Sequence, residues 1–115
     1  RFKNHVILLG WNNFIKSAYQ ELKENNVTGY IVVNNDELGR RLMREGYNVL
    51  IGSLSDSEFI NRIGLNDAEA IIITYSNLTD TILECSRSEN TRNVKIIVLN
   101  YQEELRTYLN RLGLI

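Results

Sequence analysis

Five short runs of apolar, largely β-branched residues recur along the chain, at Val6 to Leu9, Tyr30 to Val33, Asn48 to Ile51, Ala70 to Thr74 and Val94 to Leu99. They predict strands. The runs are near-continuous and do not alternate with polar residues, the pattern of a parallel sheet covered on both faces. Between them the apolar positions change to helical spacing. The first helix carries Phe14, Ile15, Ala18, Tyr19 and Leu22, the second Leu38, Leu42 and Met43, and the third Phe59, Ile60 and Ile63. The third is expected to open with a capping box made by Ser55 and Glu58 and to stop at Gly64 as a left-handed cap. A fourth helix carries Leu78, Ile82, Leu83 and Cys85, and a fifth carries Leu105, Leu109 and Leu112 between a cap at Asn100 and a stop at Gly113.

Strand and helix thus alternate five times. With right-handed crossovers this predicts an α/β, Rossmann-like doubly wound parallel sheet of strand order 3-2-1-4-5, with helices on both faces. No proline, Ser/Gly linker or internal repeat interrupts the 115 residues, so a single domain is expected over 1–115. The opening on Arg1 and the ending just after Gly113 are those expected of a fragment from a longer chain.

Composition adds exclusions. With 43% apolar and 23% charged residues the chain has the makeup of a folded globular domain. Its 13 basic and 14 acidic residues are scattered, for a net charge of -1, so no broad positive field draws in nucleic acid. Apolar runs reach about five residues, against roughly 20 needed to cross a bilayer. The single cysteine, Cys85, excludes an internal disulfide and reads as a small core hydrophobe. The single histidine, His5, opens the first strand and reads as structural.

In such a sheet a ligand binds outside the carboxyl ends of the strands, where the order reverses, here placed between the first strand and the third. The loops to inspect are Gly10 to Ile15, Asn34 to Glu37, Gly52-Ser53 and Tyr75 to Asn77. The candidate ligand cleft draws on Gly10, Trp11, Asn12, Asn34, Asp36 and Ser53. A dinucleotide site needs GxGxxG in the first loop, so that backbone can approach a pyrophosphate and helix can pack on strand. Only Gly10 remains of that fingerprint, with Asn12 and Ile15 at the other two positions. The acid that would hold the ribose hydroxyls is replaced by Asn34. NAD and ATP are therefore expected to be disfavoured in the usual pose.

His5 to Trp11, Arg40 to Gly46 leading into Asn48-Val49-Leu50-Ile51-Gly52, and Ile63 to Ile73, taken in that order and spacing, resemble the N-terminal lobe of a regulator of K⁺ conductance (RCK) domain across nearly the whole chain. The Gly10-Trp11 form is similar to that of prokaryotic, calcium-gated or otherwise ligand-gated potassium channels. The resemblance implies a cytosolic ligand-sensing module at the cytoplasmic face of the membrane. Its partners would be neighbouring RCK domains in an octameric gating ring and a potassium-channel pore in the same or a partner chain. The alternatives are a nucleotide-sensing subunit of a potassium uptake transporter and, in another class, a small Rossmann oxidoreductase or nucleotide hydrolase.

Against an enzyme, the cleft loops offer mostly Asn, Ser and Thr, with no His or Cys to form a nucleophile and base. No cofactor is certain, and a divalent cation such as Ca²⁺ is the candidate. The carboxylates of calcium sites in related domains fall on Ser53, Leu99 and Tyr101, which cannot supply them. Asp36 and Glu37 remain as the candidate metal ligands, beside their plainer role of complementing a helix dipole. Trp11 is expected to fill the vacant phosphate pocket or pack on a neighbouring lobe. Contact between lobes is expected through the fourth and fifth helices, on Leu78, Ile82, Tyr101, Leu105, Tyr108 and Leu112.

Overall fold

Parallel pairing demands a crossover between neighbouring strands, and the chain places a helix after each one. In the computed structural model, which describes residues 5–88, 91 and 95–115, the strands are β1 (Val6–Leu9), β2 (Gly29–Val33), β3 (Val49–Ile51), β4 (Ala70–Ile73) and β5 (Ile96–Val98). The helices are α1 (Asn13–Glu24), α2 (Asp36–Arg44), α3 (Ser57–Ile63), α4 (Leu78–Ser86) and α5 (Gln102–Arg111). All pairings are parallel and the order is β3-β2-β1-β4-β5, as the sequence pattern predicts.

The two-residue period of the strands divides the core into two layers. Val6, Leu8, Ile31, Val33 and Ile72 pack with Ile15, Ala18 and Leu22 of α1, Leu42 of α2, and Leu105 and Leu109 of α5. The alternate positions Ile7, Val32, Ile71 and Ile73 meet Phe59, Ile60 and Ile63 of α3, together with Leu54 and Leu65. Register puts Ile7 beside Tyr30 on one side and Ile71 on the other, so β1 is covered on all sides. Burying each such aliphatic side chain is worth roughly 1.5–3 kcal/mol over leaving it exposed, which is why the run of β1 can be wholly apolar.

Local details depart from expectation in several places. Asp56, not Ser55, caps α3: its carboxylate accepts from the backbone N–H groups of Glu58 (3.0 Å) and Phe59 (3.5 Å). Ser55 is taken up by Ser53, with the two hydroxyls 2.8 Å apart. Asn100 does not cap α5, because its side-chain oxygen accepts from Tyr75 N–H of the neighbouring loop at 3.1 Å. Glu104 closes that helix start instead, accepting from Asn100 and Tyr101 N–H. Gly64 (φ 64°) and Gly113 (φ 73°) stop α3 and α5 as read. The strands differ by a residue or two at their ends, and Val94 lies outside the described residues.

Only part of the expected apolar stripe of α4 reaches the sheet. Leu78 and Cys85 face the second layer, whereas Ile82 and Leu83 are 55% and 49% exposed. Met43 of α2 is likewise exposed, and Gly39 and Leu42 make the contact instead. Leu105 is wholly buried, so it serves the core and not a neighbour. Tyr19 buries its hydroxyl, which accepts from Asn48 N–H at 3.1 Å. His5 is buried edge-on to Tyr30, with ring centroids 5.7 Å apart, in keeping with a structural role.

Candidate functional site

The strand order reverses between β1 and β4, which are hydrogen-bonded neighbours, and not between β1 and β3. A cleft of about 220 Å³ opens beyond the carboxyl ends of the strands there. Its floor is Leu9, Val32 and Val33, one wall is Leu38 and Gly52, and Gly10, Trp11, Asn34 and Asn35 form the rim. The facing wall is a polar stripe of α4 and the turn before it: Asn77, Asp80, Thr81 and Glu84.

Gly10 sits at φ 86°, a left-handed conformation that side-chain-bearing residues rarely adopt. A Cβ there would also lie 2.5 Å from Nδ2 of Asn77. That amide donates to the Leu9 carbonyl at 2.8 Å and so ties the turn before α4 to the end of β1. Thr81 donates back to the Asn77 carbonyl at 2.7 Å. Glu84 accepts from Leu54 N–H at 3.3 Å, fixing its carboxylate across the gap to the segment after β3.

The residues expected at the site divide into two groups. Gly10, Trp11 and Asn34 line the cleft. Asn12 stands behind it: its side-chain oxygen caps α1 by accepting from Ile15 N–H at 2.9 Å, and its amide donates to Thr74 at 3.0 Å. Ser53 is turned to Ser55, and its neighbour Gly52 lines the wall in its place. Asp36 and Glu37 lie exposed in the first turn of α2, outside the lining. Asp36 is held by Arg40 at 2.8 Å. Among the described residues no three His, Cys, Asp or Glu side chains gather as a metal site would require.

Trp11 leans edge-on against Tyr47 (5.1 Å between centroids), and Tyr47 in turn against Tyr19 (5.0 Å), while one side of its indole remains at the cleft. The sequence reading missed Leu38, Asp80, Thr81 and Glu84. A signal was present, since residues 77, 80, 81 and 84 form a polar stripe at helical spacing that starts in an inspected loop. Cys85, next in sequence, turns to the core, where burial pushes its thiol above its ordinary pKa and a hydrogen bond with Thr91 partly opposes the shift. The lining residues include no nucleophile paired with a base.

Comparison with solved structures finds the same fold in several proteins. The GsuK channel bound to NAD matches at TM-score 0.66 and 21% identity, over 92% of this chain and 20% of that one. The same protein bound to ADP matches at 0.65 and 21%, over 92% and 29%. The NAD(P)-binding domain of an exopolyphosphatase-related protein from Archaeoglobus fulgidus gives 0.70 and 16%, over 98% and 100%. The TrkA-N domain of the inner membrane protein YbaL from Escherichia coli gives 0.62 and 16%, over 97% and 84%. The chain thus spans about a fifth to under a third of the GsuK chains. No curated protein matches it.

The cofactor expectation, a divalent cation with NAD and ATP disfavoured, is corrected by these structures: a protein containing this fold is bound to NAD in one of them and to ADP in another. The broken fingerprint does not close the cleft, because the residues that replace its glycines turn away from it. Ile15, at the third glycine position, has its side chain fully buried in the layer beneath α1. Asn12, at the second glycine position, folds its side chain onto α1 and Thr74. Neither lines the cleft, which stays open over Gly10. The family model described as the TrkA-N domain matches residues 6–114, and the chain belongs to that family, the N-terminal lobe of RCK domains.

Proposed function

We propose that this chain is a nucleotide-sensing regulatory lobe that gates a potassium channel, working in a ring of like domains at the cytoplasmic face of the membrane. The observation that carries the reading is the open cleft at the β1–β4 reversal, in a chain that matches the TrkA-N model almost end to end. Its apolar floor of Leu9, Val32 and Val33 suits the face of a base, and the Asn34 amide suits ribose hydroxyls in place of the usual acid. About 220 Å³ is below the roughly 300–1,000 Å³ of sites that enclose a drug-sized ligand, so it fits a nucleoside portion with the remainder at the open mouth. Without a nucleophile and base among the lining residues, the lobe reports binding and does not transform the ligand.

Helix α4 supplies a path from ligand to ring. Asn77, Asp80, Thr81 and Glu84 occupy one flank, at the cleft, while Ile82 and Leu83 stand exposed on another. A neighbour seated on that second flank would feel a shift of the helix. The ligand can bias the pore only by its difference in affinity for the two ring shapes, and the per-lobe ratios multiply around the ring, so a tenfold change in the open-to-closed ratio needs a tenfold product of those ratios over the occupied lobes. Calorimetric titration with NAD⁺, NADH, ADP and ATP tests the reading. Micromolar binding of at least one is expected, and no binding of any at millimolar concentration would overturn it.

A further inference from the structure

We propose that the cleft selects among adenine nucleotides by charge, favouring those with the least phosphate charge, and that Asp80 and Glu84 impose the selection. The inference rests on the nucleotide reading above. Among the described residues no lysine or arginine lines the cleft, and both charged lining residues are carboxylates. Arg40, midway along the adjoining helix α2, does not line it and is engaged by Asp36 at 2.8 Å.

Neutral donors do little to compensate. The Asn77 amide already donates to the Leu9 carbonyl, whereas Asn35 accepts from Leu38 N–H at 2.8 Å through its oxygen and keeps its NH₂ as an uncharged donor. At the start of α1, the Ile15 N–H that a phosphate might have used is taken by Asn12. The NH₂ groups of Asn34 and Asn35 are left as neutral donors, which carry no charge to offset the carboxylates. Glu84 cannot simply swing away without giving up its bond from Leu54 N–H, so its charge is held at the wall.

Each phosphate charge added to a ligand therefore meets two negative charges, that of Glu84 held by Leu54 N–H and that of Asp80 on the exposed rim, and no positive one among the described lining residues. At separations of 6–10 Å in a solvent-exposed, high-dielectric mouth, the two repulsions together weaken binding roughly three- to tenfold per added charge. Because the mouth is open, salt screens the effect. A site that rejected longer ligands by shape would show no such salt dependence.

The test is calorimetric titration of AMP, ADP, ATP and NAD⁺ in the presence of a chelator, at about 20 mM and about 500 mM salt. The expected order at low salt is AMP and NAD⁺ tightest, then ADP, then ATP, with the gaps narrowing at high salt. Asp80→Asn and Glu84→Gln should narrow the gaps at low salt as well, Gln keeping an oxygen for Leu54 N–H. Circular dichroism and melting temperature establish that the variants are folded, and the salt series on the unaltered chain stands if they are not. ATP binding as tightly as AMP at low salt, or gaps untouched by salt and by both substitutions, would overturn the charge selection while leaving nucleotide sensing intact. Failure of all four ligands to bind would overturn both.

Discussion

Replacing Gly52 by alanine should destabilise the fold through volume alone. Gly52 follows β3, and an added Cβ would lie 2.3, 2.4 and 2.6 Å from Cδ1, Cε1 and Cγ of Phe59. Comfortable carbon contacts are about 3.5–4.0 Å, so the methyl lands inside the ring's own volume. The ring has nowhere to go: Phe59 is 2% exposed and packed among Ile7, Val32 and Ile60. Overpacking of a closed core costs about 1–3 kcal/mol, and a rigid aromatic edge places this case near the top, about 3 kcal/mol. For a domain of this size that is a fall in Tm of roughly 12 °C. Gly46→Ala is the control, because Gly46 (φ 96°) has nothing within 4 Å of the added Cβ, leaving only left-handed strain of about 1–2 kcal/mol. Urea unfolding followed by circular dichroism measures both, as shifts in midpoint at constant slope. In a Phe59→Ala background the Gly52→Ala cost should fall to within about 0.5 kcal/mol, the ring being gone. The reasoning is refuted if Gly52→Ala costs less than Gly46→Ala, or costs the same with and without the ring.

Asn12→Ala should cost about 1–2 kcal/mol in urea unfolding, since it removes both the α1 cap and the bond to Thr74, while Asn12→Asp should recover most of the capping share. The Cys85 thiol, held above its ordinary pKa by burial, should react with a disulfide reagent more slowly at pH 8 than the same cysteine in unfolded chain. Tyr108 is raised too, by burial and by Glu69. For both groups the unfolded state releases its proton first, so stability should decline as pH rises beyond about 8.5 for the thiol and about 10 for the phenol; a flat unfolding free energy from pH 8 to 11 would contradict this. Ile82→Asp should leave the urea midpoint of this chain nearly unchanged because the side chain is largely exposed, and should weaken association of the intact regulatory region in light scattering if α4 faces a neighbour.

Much of the architecture follows from local pattern. Continuous apolar runs such as Val6 to Leu8 mean burial on both faces, helical spacing between them means crossovers, and the handedness of crossovers then leaves few strand orders. Gly64 and Gly113 end their helices wherever the rest of the chain lies, because a left-handed φ is a property of the residue. The choice among competing caps was not so determined. Ser55, Asp56 and Asn100 can all cap a helix, and only the positions of Ser53 and of the Tyr75 amide decided which did.

The site depended on tertiary structure still more. Gly10 and Asn34 were legible because the fold rule points to the loops after β1 and β2. The α4 stripe opposite them is 67 or more residues from Gly10 in sequence, and its Asp80 and Glu84 acquire meaning only because β4 pairs with β1, which sets the helix that follows β4 over the cleft. Ile15 shows the converse limit. A motif assigns each position a role toward a ligand, but the direction of a side chain is set by what it can bury against, and the layer under α1 had room for Ile15 where the cleft had none of it.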